Sequence, residues 1–446
     1  QYDAIRVDGQ YNSLNIANVD LSDTNFNTDS DGYYTNTTEA EHPYYDAPQD
    51  GDAKSESAGR SYRKGSYFVK ANSGSGSNTG LGINCMMPEL ASMYNSGKVA
   101  LISNVGTLVK PTTQEEINDG SAELPVFLFA HNHQRRATYT AQAEQLANTG
   151  WAGRIADAWK VNDPVGLNLS YDGANRMLIG SETSPLVMPT DTPVSFTTKY
   201  NTPNQKGDYF ESLINRFHSI SKTNPFESYY TNRVKLAGDL SSILLESLAG
   251  APDFSTFIKK NTYGQDLFSV PDMENDIKLV THDETRDNIF AQFEAAAKMI
   301  KVGKETLNHP RQIIFVRLPN FDTHQHQTAN HFNNLRSLSL AVSDFQKALE
   351  EMNLDDQVLT VSMSEFGRTL KNSGDGTDHG WGGHSFVVTG DSSFNGGNVY
   401  GTVMDDLRLE GPNTYTEKGR IIPTTSIEQM LSPCLKWFGV SDELMP

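Results

Sequence analysis

The chain has 446 residues, and 36 lysines and arginines against 55 aspartates and glutamates give a formal net charge of −19 at pH 7. Nucleic-acid-binding proteins carry a basic surface that displaces counterions from phosphates, so this acidic excess excludes nucleic acid as the expected partner. Apolar residues make up 37% of the chain. No apolar run reaches the length of about 18 residues that a membrane span needs, so we expect a packed core and no transmembrane segment.

Residues 20–80 form a polar insertion that is dominated by Asn, Asp, Ser, Thr, Gly and Tyr. Because such a segment cannot bury a core of its own, we expect an ion, the body of the protein or a neighbouring subunit to hold it in order. Within it Asn27, Asp29 and Asp31 alternate and a glycine follows, which is the spacing of the first half of a calcium-binding loop. The acid that should close such a loop falls one residue late, so a plain acidic loop is the alternative.

From Leu81 onward the sequence has the alternating character of an α/β protein. Residues 88–95 are typical of a short helix, and residues 98–105 of a buried strand that ends at a glycine. Near the end of the chain, residues 385–389 predict another strand and residues 427–438 an apolar helix. We therefore interpret residues 1–446 as one large domain.

Residues 163–308 mix polar loops with helices and carry fewer candidate catalytic groups. Their clearest element is residues 287–302, where apolar side chains repeat at helical spacing and a glycine follows. We interpret residues 163–308 as a whole as a partly helical insertion or cap.

Two later strands each run into a polar tip. Residues 312–316 precede the tip at 320–326, residues 357–361 precede the tip at 364–368, and an amphipathic helix at 335–352 lies between them. This order predicts a β-α-β unit with both tips on one edge of the sheet. The fold class that we predict is α/β, with a mainly parallel central sheet flanked by helices.

Seven of the eleven histidines fall into three tight groups, namely His131 and His133; His324, His326 and His331; and His379 and His384. Asp322 and Asp378 lie within the second and third groups. Mixed imidazole and carboxylate ligands suit zinc or manganese, and the oxygens also admit calcium. Hydrogen bonding of these histidines to loop backbones is the alternative to a divalent-metal site.

Glu365 and Arg368 lie together at the second polar tip. Glu365 is either a further metal ligand or a partner of Arg368. The guanidinium of Arg368 either clamps an oxyanion through two hydrogen bonds or locks the loop through a carboxylate.

Several segments, in the right order between Leu81 and Val440, together resemble an exported bacterial family known as domain of unknown function 1501. They are residues 97–106, 150–154, 321–324, 364–369, 377–380, 396–401 and 423–426. That family is similar in fold to the alkaline phosphatase and sulfatase superfamily, whose members hold metals at one edge of a mainly parallel sheet and hydrolyse phosphate or sulfate esters. The resemblance implies export by the twin-arginine route and a periplasmic or extracellular location. Since no charged and apolar leader is present, we expect the export signal to have been removed.

Transferred residue by residue, the resemblance implies that the ion-binding half of the site is intact and that the nucleophilic half is altered. The resemblance carries over to Asp322, His324, Glu365, Arg368, Asp378 and His379, and Asp8 corresponds to the first metal carboxylate of the superfamily. His326 and His384, from the histidine groups, complete the set of candidate metal ligands. The candidate catalytic groups are Arg368 and, with metal-bound water as the alternative nucleophile, Ser13. The family motif F-S-H-x-D-Q stands here at residues 129–134, with Ala130 in place of the serine and His133 in place of the acid. If the serine of that motif is the family's nucleophile, this chain has lost it.

Two functions remain open at this point. The first is an exported metal-dependent hydrolase of a small phosphate or sulfate ester, with a degenerate nucleophile site. The second is a catalytically inactive extracellular assembly protein, such as a homo-oligomeric surface or filament subunit, that keeps the fold and a structural ion. Cys85 and Cys434 are either two buried thiols or one long-range disulfide.

Overall fold

The structure is a computed structural model, and it describes residues 26–28, 34–36, 67–69, 81–84, 87–160, 165–191, 201–202, 205–220, 223–270, 288–325, 327–374, 376–404 and 406–445. In these residues no helix combines the length and the apolar character that crossing a bilayer requires. Cys434 is buried, and burial raises the pKa of its thiol to about 12. Cys434 is a free thiol, and Cys85 lies outside the described residues.

The described strands are short, and the longest is β5. They are β1 (Phe26–Thr28), β2 (Tyr34–Asn36), β3 (Tyr67–Val69), β4 (Leu81–Ile83), β5 (Val99–Gly106), β6 (Asn168–Ser170), β7 (Leu186–Val187), β8 (Asn201–Thr202), β9 (Gln205–Lys206), β10 (Ile313–Phe315), β11 (Thr360–Val361), β12 (Arg368–Ser373), β13 (Gly376–His379), β14 (Gly383–Val388), β15 (Val399–Tyr400), β16 (Thr414–Tyr415), β17 (Arg420–Ile421) and β18 (Thr425–Ser426).

The described helices match the sequence expectations well where their apolar period is clear. They are α1 (Pro88–Asn95), α2 (Gln114–Asp119), α3 (His131–Thr140), α4 (Trp151–Ala158), α5 (Gly207–Ser219), α6 (Pro225–Leu248), α7 (Ile289–Glu305), α8 (Gln327–Glu351) and α9 (Ile427–Phe438). Helix α7 begins where it does because the Asn288 side chain accepts a hydrogen bond from the Ala291 N–H at 2.8 Å.

The main sheet has the order β11-β14-β5-β15, and β18 also pairs with β5. Strand β14 runs antiparallel to both β5 and β11, whereas β15 and β18 run parallel to β5. The prediction of a mainly parallel central sheet is therefore not confirmed, because this sheet is mixed. The sequence pattern marked β14 as a buried strand, but burial carries no information about strand direction.

A second sheet has the order β10-β6-β7, and all its pairings are parallel. Strands β10 and β11, which we expected to form one β-α-β unit with the helix between them, belong to different sheets. The connecting helix is present as α8, so the order of elements is as predicted although the two strands do not pair in the described part of the chain.

Helices cover both faces of the main sheet. On one face Phe386 and Val388 pack in a cluster with α1, α7 and α8, and on the other Val387 packs in a cluster with α4 and α9. Alternate residues of β14 thus point to opposite helical layers. The prediction of an α/β fold with a sheet flanked by helices is confirmed.

Asp344 on α8 is a buried carboxylate with a relative exposure of 1%. It accepts a hydrogen bond from the Phe268 N–H at 3.0 Å, but burial dominates and raises its pKa to about 7. The unfolded chain releases this proton near pH 4 while the folded chain keeps it until about pH 7, so the stability that the protonated group contributes is lost as pH rises through this window.

We expect Asp344→Asn to be more stable than the native chain at pH 8, because the amide carries no charge to bury. The gain should be about 1–2 kcal/mol, since an unpaired amide donor offsets part of the relief. Urea unfolding at pH 5 and pH 8 measures it, and the variant should lose much of the pH dependence. An unchanged pH dependence would contradict the assignment of this proton to Asp344.

Candidate metal centre

Four segments that are far apart in the sequence bring polar side chains to one place. They are the start of α3 with His131, the loop after β10 with Asp322 and His324, the loop after β11 with Glu365, and the β12–β13 hairpin, which ends at His379. The hairpin docks tightly on the loop after β10, because a Cβ added at Gly376 would lie 2.2 Å from the carbonyl carbon of His324. A glycine is required there for this approach.

Asp322 is the centre of the cluster. Its Oδ1 lies 3.0 Å from His324 Nε2 and 3.2 Å from His379 Nε2. The same oxygen accepts a hydrogen bond from Arg368 Nη1 at 2.5 Å, while Oδ2 lies 2.9 Å from His131 Nε2. One carboxylate therefore joins three imidazoles and a guanidinium.

The orientation of His379 is fixed by the backbone. Its Nδ1 lies 2.7 Å from the carbonyl oxygen of Phe129, which can only accept, so Nδ1 carries the proton and Nε2 presents a lone pair. Phe129 is itself held by the guanidinium of Arg420, which lies 3.9 Å from the centre of its ring. A carbonyl behind the imidazole is the arrangement that orients histidine ligands in metal sites.

The donor atoms fit a small divalent ion. His324 Nε2 and His379 Nε2 are 3.0 Å apart, and each lies within 3.2 Å of Asp322 Oδ1. Ligands about 2.0–2.1 Å from a tetrahedral zinc ion are separated from each other by roughly 3.3 Å. Two imidazole nitrogens and one carboxylate oxygen are thus held near the spacing of three corners of such a site.

Two overlapping groups of candidate ligands share His379. His131 and Asp322 form one group with it, His324 and Asp378 form the other, and the ligand atoms within each group lie within 4.8 Å of one another. In the second group Asp378 is partly engaged, because its Oδ2 accepts a hydrogen bond from Lys418 Nζ at 2.6 Å.

The carboxylates of the cluster are held in their charged forms. Burial opposes the ionisation of Asp322, but hydrogen bonds from Arg368 and His131 outweigh it and lower its pKa. Glu365 behaves in the same way, with His131 and Arg135 as its partners. For Asp378 the hydrogen bond from Lys418 is the largest cause, and it lowers the pKa to about 2.

Arg368 engages both a carboxylate and the backbone. Besides Asp322, its guanidinium donates to the Thr377 carbonyl and to Thr377 Oγ1, and Thr377 in turn donates to the buried Gln327. Arg368 therefore makes the loop-locking contact with a carboxylate, which is one of the two roles that the sequence left open. This contact holds its guanidinium beside the cluster.

Not every predicted ligand joins this cluster. The Nδ1 of His384 accepts a hydrogen bond from the Asn104 N–H on β5 at 3.1 Å. His384 is absent from the groups of converging ligand atoms among the described residues. Asp8, Ser13 and His326 lie outside the described residues.

The predicted calcium ligands are only partly described. Asn27 lies in β1, opposite Thr35 of β2 in an antiparallel pair, whereas Asp29 and Asp31 lie outside the described residues. The calcium site remains a prediction.

Sequence reasoning did not assign roles to three groups that the structure brings to this place. His131 was noted only as part of a histidine group, and Arg135 and Lys418 were not noted. His131 begins a helix and its ring bridges Glu365 and Asp322, with 2.9 Å at each nitrogen. His131 stands at the histidine position of the motif F-S-H-x-D-Q at residues 129–134, and that match was the available signal.

Ala130 lies at the N-cap of α3, next to His131, and provides no side-chain cap. The N-cap position of a helix is usually occupied by Ser, Thr, Asp or Asn, whose oxygen accepts a hydrogen bond from the first turn. Ala130 thus offers no hydroxyl either to cap the helix or to join the polar cluster.

No curated protein and no solved structure shows significant similarity to this chain. A family model does match part of it, and the matched span includes Asp322, His324, Glu365, Arg368, Asp378 and His379. His131 lies before that span. Over residues 275–410 the chain matches the family described as "Protein of unknown function (DUF1501)".

Proposed function

We propose that the chain is an exported metal-binding protein with an alkaline phosphatase or sulfatase type of fold, and that it is at most a slow hydrolase of phosphate or sulfate esters. The observation that carries the proposal is the convergence of His324 Nε2, His379 Nε2 and Asp322 Oδ1 within 3.2 Å of one another. These three groups are the proposed ligands of one divalent ion, with zinc or manganese favoured by two imidazoles.

Positive side chains around the cluster support an anionic substrate. Arg135, Arg368, Lys418 and Arg420 all contact acidic or backbone groups of the cluster. A bound divalent ion supplies Lewis acidity and lowers the pKa of water. In ester hydrolysis the oxygen of water forms the new bond to phosphorus or sulfur, and the ester oxygen leaves with a proton. In the proposed reaction the guanidinium of Arg368 would stabilise the negative charge of the transferred group.

Slow turnover is expected because Ala130 offers no nucleophile. Covalent catalysis divides one difficult displacement into two easier steps, and without it the reaction depends on water alone. Elemental analysis of the purified chain and a screen with aryl phosphate and sulfate esters test the proposal. We expect about one equivalent of a divalent metal together with weak or undetectable hydrolysis. Purified protein that neither contains nor takes up a divalent ion would contradict the metal site.

Restoring the hydroxyl at the helix start gives a second test. We expect Ala130→Ser to raise the free energy of unfolding by about 1 kcal/mol, because a serine oxygen caps the first turn of α3. Ester turnover should rise above the native level, since the hydroxyl would lie beside His131. Ala130→Gly is the matched control, because glycine also suits an N-cap but adds no nucleophile. Equal turnover in both variants would count against a catalytic role for this position.

A second candidate function is a non-enzymatic assembly protein that keeps a structural ion. Its support is an apolar surface on α5 and α6, where Phe226, Tyr230 and Tyr209 are 84%, 64% and 62% exposed. Exposed aromatic clusters of this kind often mark interfaces. Sedimentation velocity of the native chain and of Phe226→Ser tests it: loss of a native oligomer in the variant supports assembly, and a monomeric native chain opposes it.

A further inference from the structure

Phe129, the residue before the N-cap of α3, has a strained backbone. Its φ is 69°, in the left-handed region that suits glycine and that a bulky side chain rarely adopts. A residue keeps such a conformation only where its surroundings force it, and these positions cluster at functional sites. The carbonyl oxygen of this residue is the one that lies 2.7 Å from His379 Nδ1. The strain is therefore located at the group that orients a candidate metal ligand.

The main chain of Phe129 is held from one side by Gln134. The Gln134 side chain is buried, and its Oε1 accepts a hydrogen bond from the Phe129 N–H. A capping box makes a similar contact, in which a Glu or Gln of the first turn reaches back to the N–H of the N-cap residue. Gln134 thus ties the N–H of the strained residue to the start of α3, where Ala130 provides no side-chain cap.

Arg420 on β17 contacts both partners of the hydrogen bond between Phe129 and His379. Its guanidinium carbon lies 3.9 Å from the centre of the Phe129 ring, which is a cation–π contact. Its Nε donates a hydrogen bond to the carbonyl oxygen of His379 at 2.9 Å. A planar guanidinium can stack on a ring with its face and donate hydrogen bonds in its plane, whereas the ammonium of lysine has no such plane. One side chain therefore holds the two residues against each other.

The guanidinium of Arg420 is itself fixed in place. Its side chain is only 14% exposed, and Nη2 lies 3.8 Å from Oδ2 of Asp378. Nη1 donates to Thr416 Oγ1 at 3.4 Å. Arg368, in contrast, contacts the side chain of Asp322 directly. Arg420 therefore acts on the imidazole of His379 through the main chain and through Phe129.

We propose that Arg420 is a positioning residue of the candidate metal centre. It holds the strained carbonyl of Phe129 against His379 and so fixes the tautomer whose Nε2 lone pair faces the ion. This role rests on the proposed function where it concerns the ion, but the tautomer of His379 exists with or without a metal. Without Arg420 the backbone of Phe129 is free to relax to a negative φ, and Nδ1 of His379 loses its acceptor. The ring proton can then lie on Nε2, which cannot bind a metal in that form.

The first measurement is the tautomer of His379 in the metal-free chain at pH 8, by two-bond 1H–15N NMR of the imidazole ring. We expect a single tautomer protonated at Nδ1 in the native chain and a mixture in Arg420→Lys. Lysine keeps the positive charge near Asp378, so the variant isolates the loss of the guanidinium plane. Arg408→Lys is the matched control, because the Arg408 side chain is 69% exposed and pairs with Asp406. It should show the native tautomer.

The second measurement is zinc affinity by titration calorimetry. We expect Arg420→Lys to bind zinc at least about ten-fold more weakly than the native chain, as for other groups that orient a metal ligand. Arg408→Lys should bind zinc as the native chain does. Adding Phe129→Gly to Arg420→Lys should restore most of the lost affinity, because glycine keeps a positive φ without strain and still offers its carbonyl to His379. A merely structural role for Arg420 predicts the opposite, since glycine also removes the packing of the aromatic ring.

These results separate the role of Arg420 from the metal site itself. A native chain that takes up no zinc contradicts the proposed function, whereas the tautomer measurement needs no metal and still tests the positioning role. A mixture of tautomers in the native chain would overturn that role. It would also be overturned if Arg420→Lys kept the single tautomer and the native zinc affinity, or if the double variant bound zinc more weakly than Arg420→Lys alone.

Discussion

Replacement of Asp322 with asparagine is expected to lower the affinity of the chain for zinc by at least about 100-fold. Removing a hydrogen-bond partner that orients a metal ligand lowers metal affinity by up to about 100-fold, and removing a ligand itself should lower it no less. Oδ1 of Asp322 lies within 3.2 Å of both His324 Nε2 and His379 Nε2, so it is the oxygen that the two imidazoles share. Asparagine keeps the shape of the side chain but removes the charge that balances the ion. Titration calorimetry with zinc measures the effect directly.

The control for this experiment is Asp119→Asn. Asp119 is an exposed residue at the end of α2 that accepts a hydrogen bond from the Ser121 N–H, and it belongs to neither group of candidate ligands. Its replacement should leave zinc affinity unchanged. If Asp322→Asn binds zinc as tightly as the native chain does, the carboxylate is not a ligand and the cluster is a hydrogen-bonded network only.

Replacement of Arg336 with methionine is expected to lower the free energy of unfolding by about 3–5 kcal/mol. Arg336 on α8 donates two hydrogen bonds, of 2.6 and 2.8 Å, to Glu89 on α1. Both residues are buried, with relative exposures of 2% and 8%. Removing the guanidinium leaves the Glu89 carboxylate with only Ser339 and Thr262 as side-chain hydrogen-bond donors in the described residues. Urea unfolding at pH 7 is the measurement.

The double variant Glu89→Gln with Arg336→Met separates the charge from the packing. Once both charges are gone, neither partner is left as an unpaired ion, so we expect the double variant to be clearly more stable than Arg336→Met alone. A double variant as unstable as the single one would mean that packing of the Arg336 side chain, and not the lost ion pair, causes the effect.

The sequence by itself determined the local elements whose pattern depends on neighbouring residues. The apolar period and the flanking caps predicted α1, α7 and α9 within a few residues, and a continuous apolar run predicted β5. These features are local because the side chains that share one face of a helix or strand lie two to four positions apart in the sequence. The grouping of Asp322 with His324, and of Asp378 with His379, was visible for the same reason.

Only the tertiary structure decided which of these elements meet. The antiparallel direction of β14 depends on the path of the chain between strands. No repeat of apolar residues in the sequence indicates that direction. His131 contacts Asp322 although 191 positions separate them, because the start of α3 and the loop after β10 reach the same edge. The orientation of His379 depends on a backbone carbonyl at Phe129, and a carbonyl has no sequence signature because every residue has one.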